Sequence, residues 1–293
     1  MIRRLYSLAG RRRSAMAALL GVTSLLPGCD HDIDSDALSP ARLEVIGVTA
    51  DGRNEVRCSD LLAVRPVVFL AFGQSIASNF NQAPYTPKRP SYNIHQGRCF
   101  EARDPMAGAD GTLGSMWSHL GDALPSGLMP YTAFVTIGVG DSSVAQWDAG
   151  GSLNERLTEA VRSTRDTGFG ISYLLWHQGS ADRGTTAGTY QSHFMGMIQS
   201  IAPYGVLPGT SPGNTRVLIA VHTRCGNGGQ DAALAAAQRG LVNPDKGFFP
   251  GADTDTLGGN FRYDGCHLSK AGQEKAAALW RDRIAAAARH QPP

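Results

Sequence analysis

The chain has 293 residues, is 42% hydrophobic and 18% charged, and carries a formal net charge of +2. That length and apolar content suit one globular domain with a sizeable core and exclude a disordered or fibrous chain. Five arginines (Arg3, Arg4, Arg11, Arg12 and Arg13) fall in the first 28 residues, which contain no acid. The remainder holds 22 basic against 25 acidic residues, a net of −3, so nucleic acid is not expected as a partner.

From the N-terminus, an arginine-rich start precedes the apolar stretch 15–26, which is short for a membrane span and reads as an export signal over 1–28. Leu26-Pro27-Gly28-Cys29 resembles a bacterial lipobox, with Cys29 as the lipidated residue and Pro27 unusual for such a site. The alternative is a plain cleaved signal; the twin-arginine match is weak. Residues 29–45 read as a polar, acidic tether and 46–293 as a single domain. The expected location is therefore the bacterial cell envelope, periplasm or cell surface, with a membrane anchor through the lipid.

Within the domain, apolar runs at 65–72, 131–139, 169–176 and 215–222 predict strands. Helical patterns cover 115–124, 153–164, 190–201, 231–241 and 270–287, the last behind Ser269 as N-cap. This alternation predicts an α/β fold, a three-layer α/β/α sandwich on a mainly parallel central sheet. In such sheets functional residues gather at the carboxyl ends of strands. Residues 83–106 and 205–214, rich in Pro and Gly, read as loops.

The cysteines Cys58, Cys99, Cys225 and Cys266 are even in number in a chain read as exported, which points to disulfides. Three pairings are open. Cys58–Cys99 with Cys225–Cys266 is preferred, because the second bridge would pin the loop around Cys266. No C-x-x-C occurs, and neither a metal site nor a cofactor is expected.

Four segments carry chemistry. Phe72-Gly73-Gln74-Ser75 follows the first strong strand run and presents a serine at a turn. Asp264-Gly265-Cys266-His267 puts a carboxylate and an imidazole on one loop, so Ser75, His267 and Asp264 together can form a nucleophile, its base and the base's orienter. Trp176-His177-Gln178-Gly179 ends a third strand, where the Gln178 amide can donate to a developing oxyanion. Gly140-Asp141-Ser142-Ser143 ends another, where the Gly140 N–H can do the same. Each segment taken alone also has a plain reading as a turn, a cap or a packed strand end.

Taken together, the segments resemble the sialate O-acetylesterase-like branch of the SGNH hydrolase superfamily, carbohydrate acetylesterases with a flavodoxin-like fold. The family's Gly-Gln-Ser-Asn block is similar to Gly73–Ile76, with Ile76 in place of Asn. Its Gly-Gly-Thr-Ser-x-x-x-Trp block resembles Gly140 to Trp147. Its Trp-x-Gln-Gly-Glu block resembles Trp176 to Ser180, with Ser180 in place of Glu, and its Asp-x-x-His block matches Asp264 to His267. The resemblance implies Ser75 as nucleophile, His267 as base and Asp264 as its partner. It implies an oxyanion hole from the N–H groups of Ser75 and Gly140 and the Gln178 side chain, and no cofactor. Gln74, His177 and Trp147 are expected to touch an acetylated carbohydrate, with Tyr85 and Trp117 as further stacking candidates. Ser142, in a Gly-Asp-Ser triplet, is a competing nucleophile. Alternative functions are a general short-chain esterase or acyltransferase on the same fold, and an inactive sugar-binding lipoprotein.

Overall fold

The computed structural model describes residues 40–290. The signal segment 1–28, Cys29 and the tether as far as residue 39 lie outside the described residues. From residue 42 the chain already runs along the domain: Arg42 donates to the Pro87 carbonyl (2.6 Å) and pairs with Glu101 (3.2 Å), and the Leu43 N–H donates to the Tyr92 hydroxyl (3.0 Å).

A nine-stranded sheet organises the domain. Its strands are β1 (Val45–Val48), β2 (Asn54–Val56), β3 (Val67–Gly73), β4 (Ser91–His95), β5 (Arg98–Glu101), β6 (Thr132–Thr136), β7 (Tyr173–His177), β8 (Arg216–Val221) and β9 (Phe248–Asp253). Their spatial order is β1-β2-β5-β4-β6-β3-β7-β8-β9. From β4 to β9 all neighbours are parallel, while β1, β2 and β5 extend one edge in antiparallel fashion. The expected α/β/α sandwich with a mainly parallel sheet is the fold observed.

Strand β3 shows why its run of apolar residues is uninterrupted. Side chains alternate between the sheet's two faces, and both faces are covered. Val68, Leu70 and Phe72 enter one core, and Phe69 and Ala71 enter the other. The first core is closed by α1 (Cys58–Ala63), α3 (Val144–Trp147), α4 (Asn154–Asp166), α5 (Ala187–Ile201) and α6 (Ala232–Gly240). The second is closed by α2 (Met116–Ala123) and α7 (Lys270–Arg289), which bring Trp117 and Trp280 together at 5.4 Å. Polar side chains start the helices: Ser115 accepts from the Trp117 N–H, Thr186 from Thr189, Asp231 from Leu234 and Ser269 from Gly272.

Several stretches differ from the sequence reading, among them the short elements β1, β2, α1 and α3, which it did not predict. Residues 83–106 are not all loop, because β4 and β5 form a hairpin there. Its two turn residues, Gln96 and Gly97, both have positive φ (50° and 73°), the twist that a two-residue hairpin turn requires. Gln-Gly is a weak signal for that turn, and the hairpin was hidden by it. Strand β9 was missed because Pro250 and Gly251 interrupt it. The proline is tolerated since β9 is an edge strand, with only β8 as neighbour. Helix α5 begins at Ala187 rather than Tyr190, where the Thr186 cap sets it.

The disulfides are Cys58–Cys99 and Cys225–Cys266, the preferred pairing. The first ties α1 to β5. The second ties the loop after β8 to the loop before α7.

Candidate active site

Strand β3 ends at Gly73, paired in parallel with His177 at the end of β7. A Cβ there would stand 2.1 Å from the His177 carbonyl oxygen, and φ is +142°, so only glycine fits. The chain then turns, and Ser75 opens a single 3₁₀ turn, Ser75–Ala77. Behind it Ile76 is fully buried in the second core, which accounts for an apolar residue at that position. Asn79 and Asn81 brace the turn from the far side. Asn79 spans the Met106 N–H and carbonyl (2.7 and 3.0 Å), and Asn81 accepts from the Leu268 N–H (3.0 Å).

That last bond joins the turn to the loop before α7. There His267 Nε2 lies 2.9 Å from Ser75 Oγ, and His267 Nδ1 lies 2.6 Å from Asp264 Oδ2. The geometry assigns the ring's proton to Nδ1, donating to the carboxylate, and leaves Nε2 as acceptor for the serine hydroxyl. Asp264 Oδ1 also accepts the N–H groups of His267 (2.6 Å) and Cys266 (2.9 Å). Burial pushes the Asp264 carboxyl up, but these hydrogen bonds, led by the one from the His267 ring, outweigh it and hold the carboxyl below its ordinary range. Three groups separated by up to 192 residues thus form one relay.

Further contacts fix this loop. Arg262 is buried and spends its guanidinium on the carbonyls of Leu257 (2.7 Å), Thr254 (2.7 Å) and Cys266, the residue before the histidine. Burial lowers its pKa to about 10, so it remains a cation. The Cys225–Cys266 bridge holds the same residue from the other side. Phe80 stacks on the imidazole, with ring centroids 5.8 Å apart and planes at 26°.

Other expected site residues face elsewhere. Gln178 is fully buried. Its amide nitrogen donates to the Ser142 carbonyl (3.0 Å) and to Asp182, and its oxygen accepts from the Tyr190 hydroxyl (3.1 Å). The expectation of an oxyanion donor there is corrected: the amide is consumed in the first core. His177 points to the opposite face, into the second core. It is fully buried beside Trp280 and Trp117, with Nε2 2.9 Å from the Thr254 hydroxyl. Burial, then the neighbouring His222 and Arg262, push its pKa well down, so it is a neutral packing residue rather than a substrate contact. Trp147 and Trp117 are fully buried as well, donating to Ser142 Oγ (2.9 Å) and the Ala77 carbonyl (2.7 Å); neither can stack on a sugar. Tyr85 stacks on His119 and donates to Asp122 (2.7 Å), away from the relay.

Ser142 is buried too. Its hydroxyl lies 3.0 and 3.2 Å from the carbonyls of Val139 and Gly73, with the Trp147 N–H as donor to it and no histidine partner among the described residues. It is a brace at the strand end, not a nucleophile.

Gln74 does line the site, but its amide works inward. Its oxygen accepts the N–H groups of Gly179 (2.9 Å) and Ala181 (3.2 Å), and its nitrogen donates to Ser180 Oγ (2.7 Å). Ser180 Oγ also lies 3.3 Å from His222 Nε2. The loop after β7 is therefore held by Gln74 and Ser180 together, without a glutamate.

These elements enclose an open cleft of about 460 Å³. Ser75 and His267 line it. So do Gly140, Asp141, Phe80, Arg183 and the Cys225–Cys266 bridge. Sequence reading missed Phe80 and gave no role of their own to Asp141, inside the Gly140 segment, and Arg183. Only Asp141 leaves a conformational trace, a non-glycine residue at φ +55°. Gly140 lines the cleft, and its N–H donates to Asp110 Oδ2 over a long 3.4 Å. For the Ser75 N–H, the first of its turn, there is no acceptor among the described residues.

No protein-family model and no curated protein matches this sequence. Among solved structures, a protein from Arabidopsis thaliana is 16% identical, with a TM-score of 0.59 over 75% of this chain and 97% of its own. A GDSL-like lipase from Parabacteroides merdae is 15% identical, with a TM-score of 0.49 over 75% and 95%. A carbohydrate acetylesterase from Sinorhizobium meliloti is 12% identical, with a TM-score of 0.44 over 75% and 99%. The first of these likenesses establishes the shared fold.

Proposed function

We propose that the protein is a serine esterase that removes O-acetyl groups from a carbohydrate through an acyl-enzyme on Ser75. The observation that carries this reading is the relay Ser75–His267–Asp264, whose serine and histidine line an open cleft. In it, His267 Nε2 takes the hydroxyl proton as Ser75 Oγ bonds to the acetyl carbon. The N–H groups of Ser75 and Gly140 receive the negative charge on the carbonyl oxygen. The acyl–oxygen bond then breaks, and the proton on His267 passes to the departing sugar oxygen. Water repeats the sequence, releasing acetate and restoring Ser75. Asp264 holds the ring and stabilises its cationic form throughout.

The sugar is the finer part of this proposal. It is supported by the sequence resemblance and by a cleft open enough for a bulky alcohol over a small acyl group. We further propose export with a lipid on Cys29; the two disulfides fit an oxidising compartment. Intact-mass measurement of the membrane-associated protein tests the lipid.

The direct test is hydrolysis of an aryl acetate by the full chain, its Ser75→Ala variant and its Ser142→Ala variant. Loss confined to Ser75→Ala supports the site, and a set of acetylated and unacetylated oligosaccharides then tests the sugar. Wild-type protein without activity on any acetate ester would sink the enzyme reading in favour of a sugar-binding protein.

A further inference from the structure

Behind the relay, a second polar route joins its two ends through buried groups that the reaction does not use. Gln74, the residue before the nucleophile, donates from Nε2 to Ser180 Oγ (2.7 Å). Ser180 Oγ lies 3.3 Å from His222 Nε2, and His222 Nδ1 lies 3.4 Å from Thr254 Oγ1. The Thr254 carbonyl accepts from Arg262 Nη2 (2.7 Å), and Arg262 Nη1 donates to the carbonyl of Cys266, the residue before His267. Gln74, His222 and Thr254 are at most 2% exposed. They follow β3, β8 and β9 respectively, so only the sheet brings them together.

The position of each proton follows from the partners. His177 Nδ1 is buried and has no partner among the described residues, whereas its Nε2 lies 2.9 Å from Thr254 Oγ1. A bare ring nitrogen costs less to bury unpaired than an N–H does, so the His177 proton sits on Nε2 and is donated to the threonine hydroxyl. Thr254 gives its own proton to the Val221 carbonyl (3.2 Å). The oxygen's second lone pair then accepts from His222 Nδ1–H. His222 Nε2 is left bare as acceptor for the Ser180 hydroxyl, and the Ser180 oxygen accepts from Gln74. Burial, then the charges of Arg262 and His267, push the His222 pKa well down, in keeping with a neutral ring.

We propose that His222 and Thr254 are positioning residues of the esterase. With Ser180 they hold Gln74, and so the turn that presents Ser75, in register with the His267 loop. This rests on the reading of Ser75 as nucleophile. Thr254 is the node, because its hydroxyl serves the serine arm and its carbonyl serves the histidine arm. The direct bond between Ser75 and His267 is remade at each proton transfer, and the buried route keeps the two loops apart by a constant distance meanwhile. Rate depends steeply on that distance, since a misplacement of about 1 Å can cost about 10²-fold.

The test is steady-state hydrolysis of an aryl acetate by the full chain, by Ser180→Ala, Thr254→Val and Thr254→Ser, and by the Ser180→Ala/Thr254→Val double variant. Urea unfolding confirms that each is folded. Ser180→Ala and Thr254→Val each cut the route and should lower kcat about tenfold, with KM changed by less than about threefold. Both cuts fall on one route, so the double variant should be about as slow as the slower single, not about a hundredfold slower than wild type. Thr254→Ser keeps the hydroxyl and should hold kcat within about twofold of wild type. Thr254→Val leaves two ring N–H groups without an acceptor. If it does not fold, Ser180→Ala against Ser180→Thr, which keeps a hydroxyl, gives the same contrast at the cleft edge. Unchanged kcat in the cut variants overturns the proposal. So does a double variant whose loss is the product of the two singles, or a rise in KM at constant kcat, which would make Ser180 a substrate contact. A wild type inactive on every acetate ester sinks the esterase reading and this proposal with it, whereas an active wild type with unaffected variants sinks the positioning role alone.

Discussion

The loop 264–267 and the loop 177–182 begin from similar material. Each carries a histidine and an aspartate within a few residues of one another. In the first, His267 lines the cleft and links Asp264 to Ser75. In the second, His177 turns into one core, Gln178 and Asp182 turn into the other, and none of the three lines the cleft. The lesson concerns position relative to the sheet. Residues still in strand register must point into a covered layer, whereas residues on a loop beyond the sheet are free to point at a ligand. A polar side chain in the covered layer is then spent on satisfying its neighbours.

The largest expected effect separates reagents from braces. Ser75→Ala and Asp264→Asn should lower kcat for an aryl acetate by about 10³-fold or more, with stability changed by no more than about 1 kcal/mol. Urea unfolding beside steady-state kinetics checks both. A fall in kcat of less than tenfold for Ser75→Ala would end the comparison.

Next come the two disulfides, which close loops of equal sequence separation, 41 residues. Lost chain-closure entropy assigns each about 4 kcal/mol. Replacing Cys225 and Cys266 by serine should also lower kcat about tenfold, because the bridge adjoins His267. Replacing Cys58 and Cys99 should leave kcat unchanged. Equal kinetic effects from the two pairs would show that the bridge does not hold the histidine.

Gln178→Ala comes third. It leaves the Tyr190 hydroxyl and buried Asp182 short of partners and should cost about 2–3 kcal/mol. The folded fraction should keep kcat within about tenfold. A loss of about 10²-fold or more at unchanged stability would return Gln178 to the oxyanion hole.

The smallest effect is a difference in sign between two carboxyls. Burial holds Asp182 above the ordinary carboxylate value near 4. Its contribution to stability is therefore greatest when protonated and falls as pH rises through that raised value. Asp264 is held below the same value, despite its burial, by bonds from the His267 ring and backbone, so its contribution is present above about pH 4 and lost as pH falls. Asp182→Asn should thus gain on the wild type as pH rises from about 4 to about 7, whereas Asp264→Asn should lose on it as pH rises from about 2 to about 5. Urea midpoints across each window check this; slopes of the same sign would refute the contrast.

Much of the framework was legible in the sequence. The runs at 65–72, 169–176 and 215–222 became β3, β7 and β8, because strands covered on both faces need an unbroken apolar stretch. The turn at Ser75 and the Asp264–His267 spacing are local patterns, and local patterns survive translation into structure. The β4–β5 hairpin and β9 escaped because their turn residues and proline speak against strands unless edge position is known. Phe80, Asp141 and Arg183 reached the cleft from separate loops with no shared spacing to reveal them.

The sequence by itself therefore determined the α/β alternation, the serine-bearing turn and the acid–histidine pair, since each depends on residues close along the chain. Only the tertiary structure decided which polar residues are reagents and which are braces. It brought His267 to Ser75 across 192 residues, turned Gln178 and His177 to opposite cores, and buried Ser142 beneath Trp147. The direction a side chain faces depends on which layer covers it, and that layer is built from residues far away in the chain.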